Sequence, residues 1–270
     1  MRPLRTVRVT RYVTPLREGG SLPAIVDADD DGLYVLKFRG AGQGLRALVA
    51  ELVSGELARA LGLPVPELVF AELDRDLART EPDPEIHQLI YDSAGLNLAL
   101  DFLPGSISFD PVVHRIDPVL ASRIVWFDAF TSNVDRTVRN TNMLMWHRAP
   151  WLIDHGATFY FHHSPGWETD PLRARAAFPL VRDHVLLSAA SAIEQVDDEM
   201  ARMLGGDVVD QVLALVPDAW FEDEIHGRGT FGAAADAVPP ASVARAAYAR
   251  YLRDRLEEPR AFVSEVRRVR

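Results

Sequence analysis

The sequence predicts an α+β fold in which a small, mostly antiparallel sheet with one helix comes before a larger, mainly helical part. Two observations support this prediction. Short apolar stretches with strand-like alternation, separated by Gly, Pro and Asp, dominate the chain before residue 104. Beyond residue 117 the apolar residues recur mainly at helical spacing, except in one predicted hairpin. We therefore divide the 270 residues into a small part, 1–103, and a large part, 104–270.

The predicted strands of the small part are short runs of β-branched, aromatic and aliphatic residues bounded by turns. One helix, 45–61, interrupts them, and Gly62 follows its last turn as a glycine cap. The charged, proline-bearing stretch 74–84 is predicted to be a surface loop. The predicted strands cover residues 6–13, 23–27, 33–38, 66–73, 87–91 and 96–103.

The small part carries the only lysine of the chain, Lys37, among 29 basic residues. It lies on the strand 33–38, and Glu51 lies on the helix that follows. Because every other basic position is arginine, this lysine indicates a site that needs a compact point charge, such as a tight cleft between phosphates. Glu51 is its predicted ion-pair partner, and Glu56 on the same helix is the alternative.

Two glycine-bearing loops of the small part could bring backbone amides close to phosphates. Gly19, Gly20 and Ser21 lie between the first two predicted strands, where a plain hairpin turn explains them equally well. The loop 40–44 is the other candidate. It lacks the Lys-Ser/Thr ending of a Walker A motif, which excludes a P-loop nucleotide site.

The large part is predicted to begin with a helix that starts at Asp117 or Pro118 and ends at Ala129. A hairpin follows, with strands 143–146 and 151–153. Further helices or helical turns are predicted at 183–188, 193–204, 208–216 and 242–269, with a Gly/Ala-rich loop at 227–240.

The stretch 157–178 has weak periodicity and many aromatic residues, which indicates an irregular segment. It contains the adjacent His162 and His163. Neighbouring side chains on an extended chain point in opposite directions, so we do not expect these histidines to share a metal ion.

Three oxygen-bearing side chains bracket the predicted hairpin. Asp135 and Asn140 are separated by four residues before its first strand, and Asp154 follows its second strand. Phosphoryl transfer from ATP needs this set, because one carboxylate orients the acceptor hydroxyl while an amide and a second carboxylate hold magnesium on the phosphates. Magnesium keeps several waters, so Asn140 and Asp154 are sufficient protein ligands. Each motif alone is common in loops, and the prediction rests on both occurring in this order.

These motifs resemble the catalytic loop and the Asp-Phe-Gly metal motif of protein kinases and phosphoinositide kinases, with Asp154-His155-Gly156 in the second position. The sequence is most similar to the HipA-like serine/threonine kinases of bacteria over about residues 20–160. Thr137 stands where that family has a histidine, a departure that bears on phosphate contacts or substrate class rather than on the metal site. The residues that carry the resemblance are Asn133, Asp135, Arg139 and Asn140.

The resemblance implies a two-lobed protein kinase-like fold, with residues 1–103 as the small nucleotide-binding lobe and 104–270 as the large catalytic lobe. It implies ATP and Mg²⁺ as cofactors. Backbone groups of the segment between the lobes would bind the adenine edge. These are the groups of Asp101, Phe102 and Leu103.

The resemblance also assigns roles to side chains. Asp135 would orient the acceptor hydroxyl and accept its proton, while Lys37, fixed by Glu51, would neutralise phosphate charge. Arg139 or Arg136 would offset the charge that develops on the transferred group.

The phosphate acceptor is left open by the sequence. The resemblance implies a serine or threonine of a protein. Because Asp135-Arg136 also resembles phosphoinositide kinases, a small molecule or a lipid headgroup is the alternative. A third possibility is a non-catalytic ATP-binding protein, which the presence of every motif residue disfavours.

Composition excludes several other classes. The formal net charge of −10 argues against a broad nucleic-acid-binding surface. The absence of cysteine excludes disulfides and thiolate metal sites. No apolar run is long enough to cross a bilayer and the first residues do not form a signal peptide, so we expect a cytoplasmic protein without membrane insertion.

Overall fold

Five strands form a closed barrel in the first part of the structure, a computed structural model that describes residues 3–16, 22–42, 44–222 and 240–270. The spatial order is β1-β2-β3-β5-β4, and neighbouring strands are antiparallel. The barrel closes through a parallel pairing of β1 with β4. The strands are β1 Thr6–Pro15, β2 Ala24–Ala28, β3 Leu33–Lys37, β4 Leu68–Leu73 and β5 Gly95–Asp101.

The long helix α1, Leu45–Ala60, lies between the barrel and the helices of the large part. Its residues 48–58 are all buried, as expected for a helix that is covered on every side. Gly62 follows it with a φ of 69°, the left-handed conformation in which glycine carries no steric cost. The predicted helix and its glycine cap are therefore confirmed, and α1 can carry a side chain to the boundary between the two parts.

One predicted strand, 87–91, is wrong: these residues belong to the helix α2, Pro84–Asp92. Asp83 caps this helix by accepting a hydrogen bond from the N–H of Glu85. Two isoleucines four positions apart in α2 are buried on one face, a spacing that a short apolar run does not distinguish from a strand.

The helix that precedes the hairpin is α3, Pro118–Thr131, and Asp117 caps it by accepting from two backbone N–H groups. The predicted hairpin is confirmed as β7, Met143–Trp146, and β8, Ala149–Leu152. A two-residue strand, β6, Ile107–Ser108, pairs with β7 to complete a three-stranded sheet. The N–H of Leu152 donates to the carbonyl of Pro64, which fixes the hairpin beside the segment after α1.

The remaining helices differ from the predictions mainly at proline and in short segments. The predicted helix 242–269 is interrupted near Pro259, because proline cannot continue a helix. The helix or helical turn predicted at 183–188 corresponds to two 3-10 turns, at 179–183 and 187–189, with non-helical residues between them. The helices are α4 Pro171–Ala174, α5 Ile193–Met203, α6 Val208–Leu213, α7 Asp218–Glu222, α8 Ala241–Leu256 and α9 Ala261–Val269.

Two hydrophobic clusters form the interior. One fills the barrel, and the larger one runs from α1 and α3 through the helices of the large part. Trp126 is completely buried in the larger cluster. Across the described ranges, no helix has the length and apolar character needed to span a membrane. The cytoplasmic location stays a prediction.

Candidate active site

The lysine and two acidic residues from distant parts of the chain meet between the barrel and the hairpin. Lys37 Nζ, at the end of β3, lies 2.8 Å from Asp154 Oδ1 and 3.7 Å from Glu51 Oε2. The Lys37 side chain is only 11% exposed, whereas that of Asp154 is 38% exposed. Glu56, the alternative partner, is instead paired with Arg59 at 3.2 Å. The cluster therefore has a buried cation, one buried carboxylate and one carboxylate open to solvent.

Opposite charges hold both buried groups of this cluster in their ionised forms. Burial alone, the largest single effect, would raise the pKa of Glu51, but the charge of Lys37 and the smaller contributions of His155 together outweigh burial and lower the pKa to about 2. Burial alone would lower the pKa of Lys37, and the carboxylates of Glu51 and Asp154 outweigh it, so that the pKa is raised. Neither Glu51 oxygen accepts a hydrogen bond of normal length and angle from a described residue, so Lys37 Nζ at 3.7 Å and His155 Nδ1 at 3.8 Å act on the carboxylate over a longer distance.

Glu51→Gln is expected to lower the free energy of unfolding, by an amount that depends on pH. Because the folded-state pKa of Glu51 is lowered, its contribution is present above the ordinary value of 4.5 and is lost as the pH falls towards about 2. The contribution at neutral pH is on the order of 3 kcal/mol by the pKa difference. Urea unfolding of both proteins between pH ~7 and ~3 measures this effect. The parent protein should have the larger free energy of unfolding at neutral pH, and the difference from Glu51→Gln should become smaller in acid.

Glu56→Gln is the matched control on the same helix. Burial raises the pKa of Glu56, so ionisation of this group lowers the stability of the folded protein. The stability of the parent protein relative to Glu56→Gln should therefore increase, not decrease, as the pH falls. The ion-pair assignment would be contradicted if the difference in free energy of unfolding between the parent protein and Glu51→Gln stayed constant down to pH ~3.

Asp135 is held in a fixed orientation by three asparagines. Its Oδ2 accepts hydrogen bonds from Asn140 Nδ2 at 2.8 Å and from Asn142 Nδ2 at 3.0 Å. Its backbone N–H donates to Asn133 Oδ1 at 3.0 Å. The Thr137 N–H donates to the carbonyls of Asp135 and Asn140, each at 2.9 Å, which tightens the loop between these two residues. Sequence analysis missed Asn142, which lies two residues beyond the motif.

A buried aspartate of α3, also missed by sequence analysis, organises this loop. Asp128 Oδ2 accepts from Arg136 Nε at 2.6 Å and from His184 Nε2 at 2.9 Å, while Oδ1 accepts from Asn133 Nδ2 at 2.9 Å. His184 Nδ1 accepts from the N–H of Leu186, so Nε2 carries the proton that is donated to Asp128. Burial would raise the pKa of Asp128, but these donors, Arg136 above all, hold it well below its usual range.

The two arginines of the loop have different surroundings. Arg136 is buried and donates to Asp128 and to the carbonyl of Asn142. Its guanidinium is thus used inside the fold, and the expectation that Arg136 offsets charge on a transferred group is wrong. Arg139 is exposed and has no hydrogen bond or ion pair with any described residue, so its charge is free to meet a ligand.

One buried residue in the segment after β5 has a backbone N–H that donates to no described residue. The N–H of Asp101 donates to the carbonyl of Glu67 at 2.9 Å, and the N–H of Phe102 donates to the carbonyl of Leu33 at 3.0 Å. Leu103 is buried, and its N–H donates to none of the residues that the structure describes. Buried backbone donors are nearly always paired, so this N–H is a fitting place for a ligand acceptor atom.

The predicted phosphate-binding loop of Gly19, Gly20 and Ser21 lies outside the described residues. The other candidate loop is described except for residue 43. Its Gly40 N–H donates to the hydroxyl of Ser93 at 3.1 Å, and a Cβ at this position would lie 2.9 Å from that hydroxyl oxygen. This close approach gives Gly40 a packing role.

The adjacent histidines do not point apart as predicted. Residues 160–163 form a 3-10 turn instead of extended chain, and His162 Nε2 lies 3.0 Å from His163 Nε2. His162 Nδ1 is 2.8 Å from the Tyr248 hydroxyl, so both ring nitrogens of His162 lie within hydrogen-bonding distance of a partner. Within the described parts of the chain, no group of three or more His, Asp or Glu side chains could hold a metal ion.

Comparison with known proteins identifies the family to which the chain belongs. The HipA-like kinase family model matches residues 9–238. No curated protein matches the sequence significantly. Among solved structures, the Helicobacter pylori proinflammatory kinase CtkA is 12% identical, with a TM-score of 0.50 over 99% of this chain and 98% of that one. A Golgi casein kinase is 13% identical, with a TM-score of 0.43 over 97% of this chain and 75% of that one.

The family match covers most of the chain, including the strand of Lys37, the helix of Glu51, the loop of Asp135 and the turn of Asp154. The similarity to CtkA independently supports a kinase-like α+β fold. The chain therefore belongs to the HipA-like kinase family and is a phosphotransferase.

Proposed function

We propose that this kinase transfers the γ-phosphate of ATP, in the presence of Mg²⁺, to the hydroxyl of a serine or threonine in a protein. The observation that carries the proposal is the meeting of Lys37 with Asp154 at 2.8 Å and with Glu51 at 3.7 Å. These residues come from a barrel strand, a hairpin and the helix between the two parts. Such a lysine–glutamate pair beside a metal-binding aspartate is what positioning of ATP phosphates requires.

We further propose that the two parts act as the lobes of one kinase domain, with residues 1–103 binding the nucleotide and residues 104–270 carrying the catalytic loop. The nucleotide would lie at their boundary, where the unused N–H of Leu103 can donate to an acceptor on the adenine edge. Neighbouring backbone groups of Asp101 and Phe102 would line that edge, although their own N–H groups are already used.

The chain offers suitable ligands for magnesium. Asn140 and Asp154 supply neutral and anionic oxygens, and both are accessible to solvent, which suits an ion that retains several waters. When bound, magnesium would neutralise phosphate charge and orient the γ-phosphate. Asn140 can present its carbonyl oxygen to the ion while its amide group continues to donate to Asp135.

The protein side chains would divide the remaining work. Lys37 would pass from Asp154 to the phosphates while Glu51 keeps it charged and in place. Asp135 would accept a hydrogen bond from the acceptor hydroxyl and then its proton. Exposed Arg139 would offset negative charge on the transferred group. Little of this needs a strong base, because phosphoryl transfer depends chiefly on positioning and electrostatics.

The test is incubation of the purified protein with γ-labelled ATP and Mg²⁺, alone and with cell extract. Lys37→Ala and Asp154→Ala should each lose transfer by about 10²-fold or more, because each removes a charge that acts on the phosphates. Asp76→Ala is the control, since this aspartate is 58% exposed and, among the described residues, its side chain pairs with nearby Arg79 alone. It should retain full transfer.

The pattern of label separates the possible acceptors. Label on protein that depends on Lys37 and Asp154 would support a protein kinase. Faster ATP consumption with extract metabolites or lipids, and no labelled protein, would show that the acceptor is a small molecule or a lipid headgroup instead of a protein. ATP binding without transfer to any acceptor would overturn the proposed activity.

A further inference from the structure

Asn142 touches both halves of the candidate site. It is buried, and its side-chain amide donates to Asp135 Oδ2 at 3.0 Å. Its backbone carbonyl accepts from the N–H of Ile153 at 3.0 Å and from the guanidinium of Arg136. Since Ile153 directly precedes Asp154, a single residue links the proposed base to the strand end that carries the proposed metal ligand.

The hydrogen bonds to Asp135 leave its two oxygens in different states. Asn140 and Asn142 both donate to Oδ2, whereas Oδ1 accepts from no described residue and Asp135 is only partly buried. A carboxylate with one oxygen held by two amides cannot rotate freely, so its second oxygen has a defined direction. Oδ1 is therefore the atom that can meet an acceptor hydroxyl.

The two asparagines are not equivalent. Asn140 is exposed, and its carbonyl oxygen can turn to a ligand. Asn142 is buried and has a φ of 46°, a left-handed conformation that asparagine adopts more readily than most residues. Its backbone conformation turns the chain so that the amide faces Asp135 while the carbonyl faces Ile153 and Arg136.

We propose that Asn142 is a positioning residue that holds Asp135 Oδ2 and thereby directs Oδ1 at the acceptor hydroxyl. This inference rests on the proposed function, because it assumes that Asp135 receives the acceptor. It assigns to Asn142 a role distinct from that of Asn140. Loss of Asn140 should change the dependence on Mg²⁺, whereas loss of Asn142 should change the rate of transfer alone.

The first experiment is steady-state kinetics of Asn142→Gly and Asn142→Asp. Glycine keeps the left-handed backbone without strain and removes the amide. Aspartate keeps the shape and tolerates the same conformation but cannot donate. For both variants kcat should fall on the order of 10- to 100-fold, the size expected for a misplaced reacting group. KM for ATP and the Mg²⁺ concentration giving half-maximal rate should be unchanged.

Arg148→Gly is the matched control. Arg148 also has a positive φ, 66°, and is exposed in the hairpin turn, away from Asp135. Replacing it by glycine makes the same backbone change without removing a contact to the site, so kcat should be retained. If Asn142→Gly instead keeps kcat, or raises KM for ATP with kcat intact, the positioning role is overturned.

The second experiment does not require activity. Thermal unfolding of Asn142→Gly, Asp135→Ala and the double variant forms a double-mutant cycle. If Asn142 holds Asp135, the loss of Tm caused by Asn142→Gly should largely disappear when Asp135 is already alanine. Additive Tm losses would overturn the inference even if the kinase is active. Non-additive losses with no phosphate transfer by the parent protein would instead reject the proposed function and leave the contact established.

Discussion

Asp135→Ala is expected to lower phosphoryl transfer by about 10³-fold while ATP still binds. General-base and orienting groups typically contribute 10²–10⁴-fold, and Asp135 is proposed to combine both tasks. ATP binding should survive, because Lys37, Glu51 and Leu103, the groups proposed to hold the nucleotide, lie outside the catalytic loop. Single-turnover transfer from labelled ATP measures the first effect, and calorimetric titration with a non-hydrolysable ATP analogue measures the second.

Asp135→Asn separates proton acceptance from loop architecture. An asparagine side chain can accept from Asn140 and Asn142 through its carbonyl oxygen, so the loop should keep its conformation. It cannot accept the hydroxyl proton, and transfer should remain as low as in the alanine variant. If both variants lose ATP binding together with transfer, Asp135 would belong to the nucleotide site instead of acting on the acceptor.

Local sequence patterns predicted the elements that carry the proposed site. Lys37 was singled out by composition, and Glu51 by its place on the next helix; the structure brings them within 3.7 Å. The hairpin between Asp135 and Asp154 was predicted because strand alternation and turn residues are short-range signals. The roles of these residues remain a proposal that the transfer experiments test.

Pairings between distant residues were not predictable in the same way. The closure of the barrel depends on β1 pairing with β4, and an alternating pattern does not specify which strand edges meet. Likewise, Asp128 and His184 are 56 positions apart, and neither lies in a recognisable motif. The available signal was the presence of an aspartate inside the apolar stretch 124–130, where an unpaired carboxylate would be costly.

Asp128→Ala is expected to destabilise the protein by about 3–5 kcal/mol, because it leaves the Arg136 guanidinium buried without its carboxylate. The side chains of both residues are completely buried. Asn133 and His184 would also each lose their acceptor. Urea unfolding at neutral pH measures this loss.

The double variant Asp128→Leu/Arg136→Met is the informative comparison, because replacing both members of a buried ion pair by apolar residues is often close to neutral. It should regain much of the stability that Asp128→Ala loses, while the transfer rate stays low, since Asn133 and the loop around Asp135 would no longer be held.

The lowered pKa of Asp128 also makes the stability difference between the parent protein and Asp128→Ala depend on pH. The contribution of ionised Asp128 to stability is present above the ordinary carboxylate pKa of 3.8 and is lost as the pH falls below that value. The difference in free energy of unfolding between the parent protein and Asp128→Ala should therefore become smaller in acid.

A loss of free energy of unfolding below about 1 kcal/mol for Asp128→Ala, the size of a typical neutral surface change, would show that Arg136 finds other partners. Full stability with low transfer in the double variant would show that the buried charges fix the geometry of the catalytic loop and contribute little to the stability of the fold.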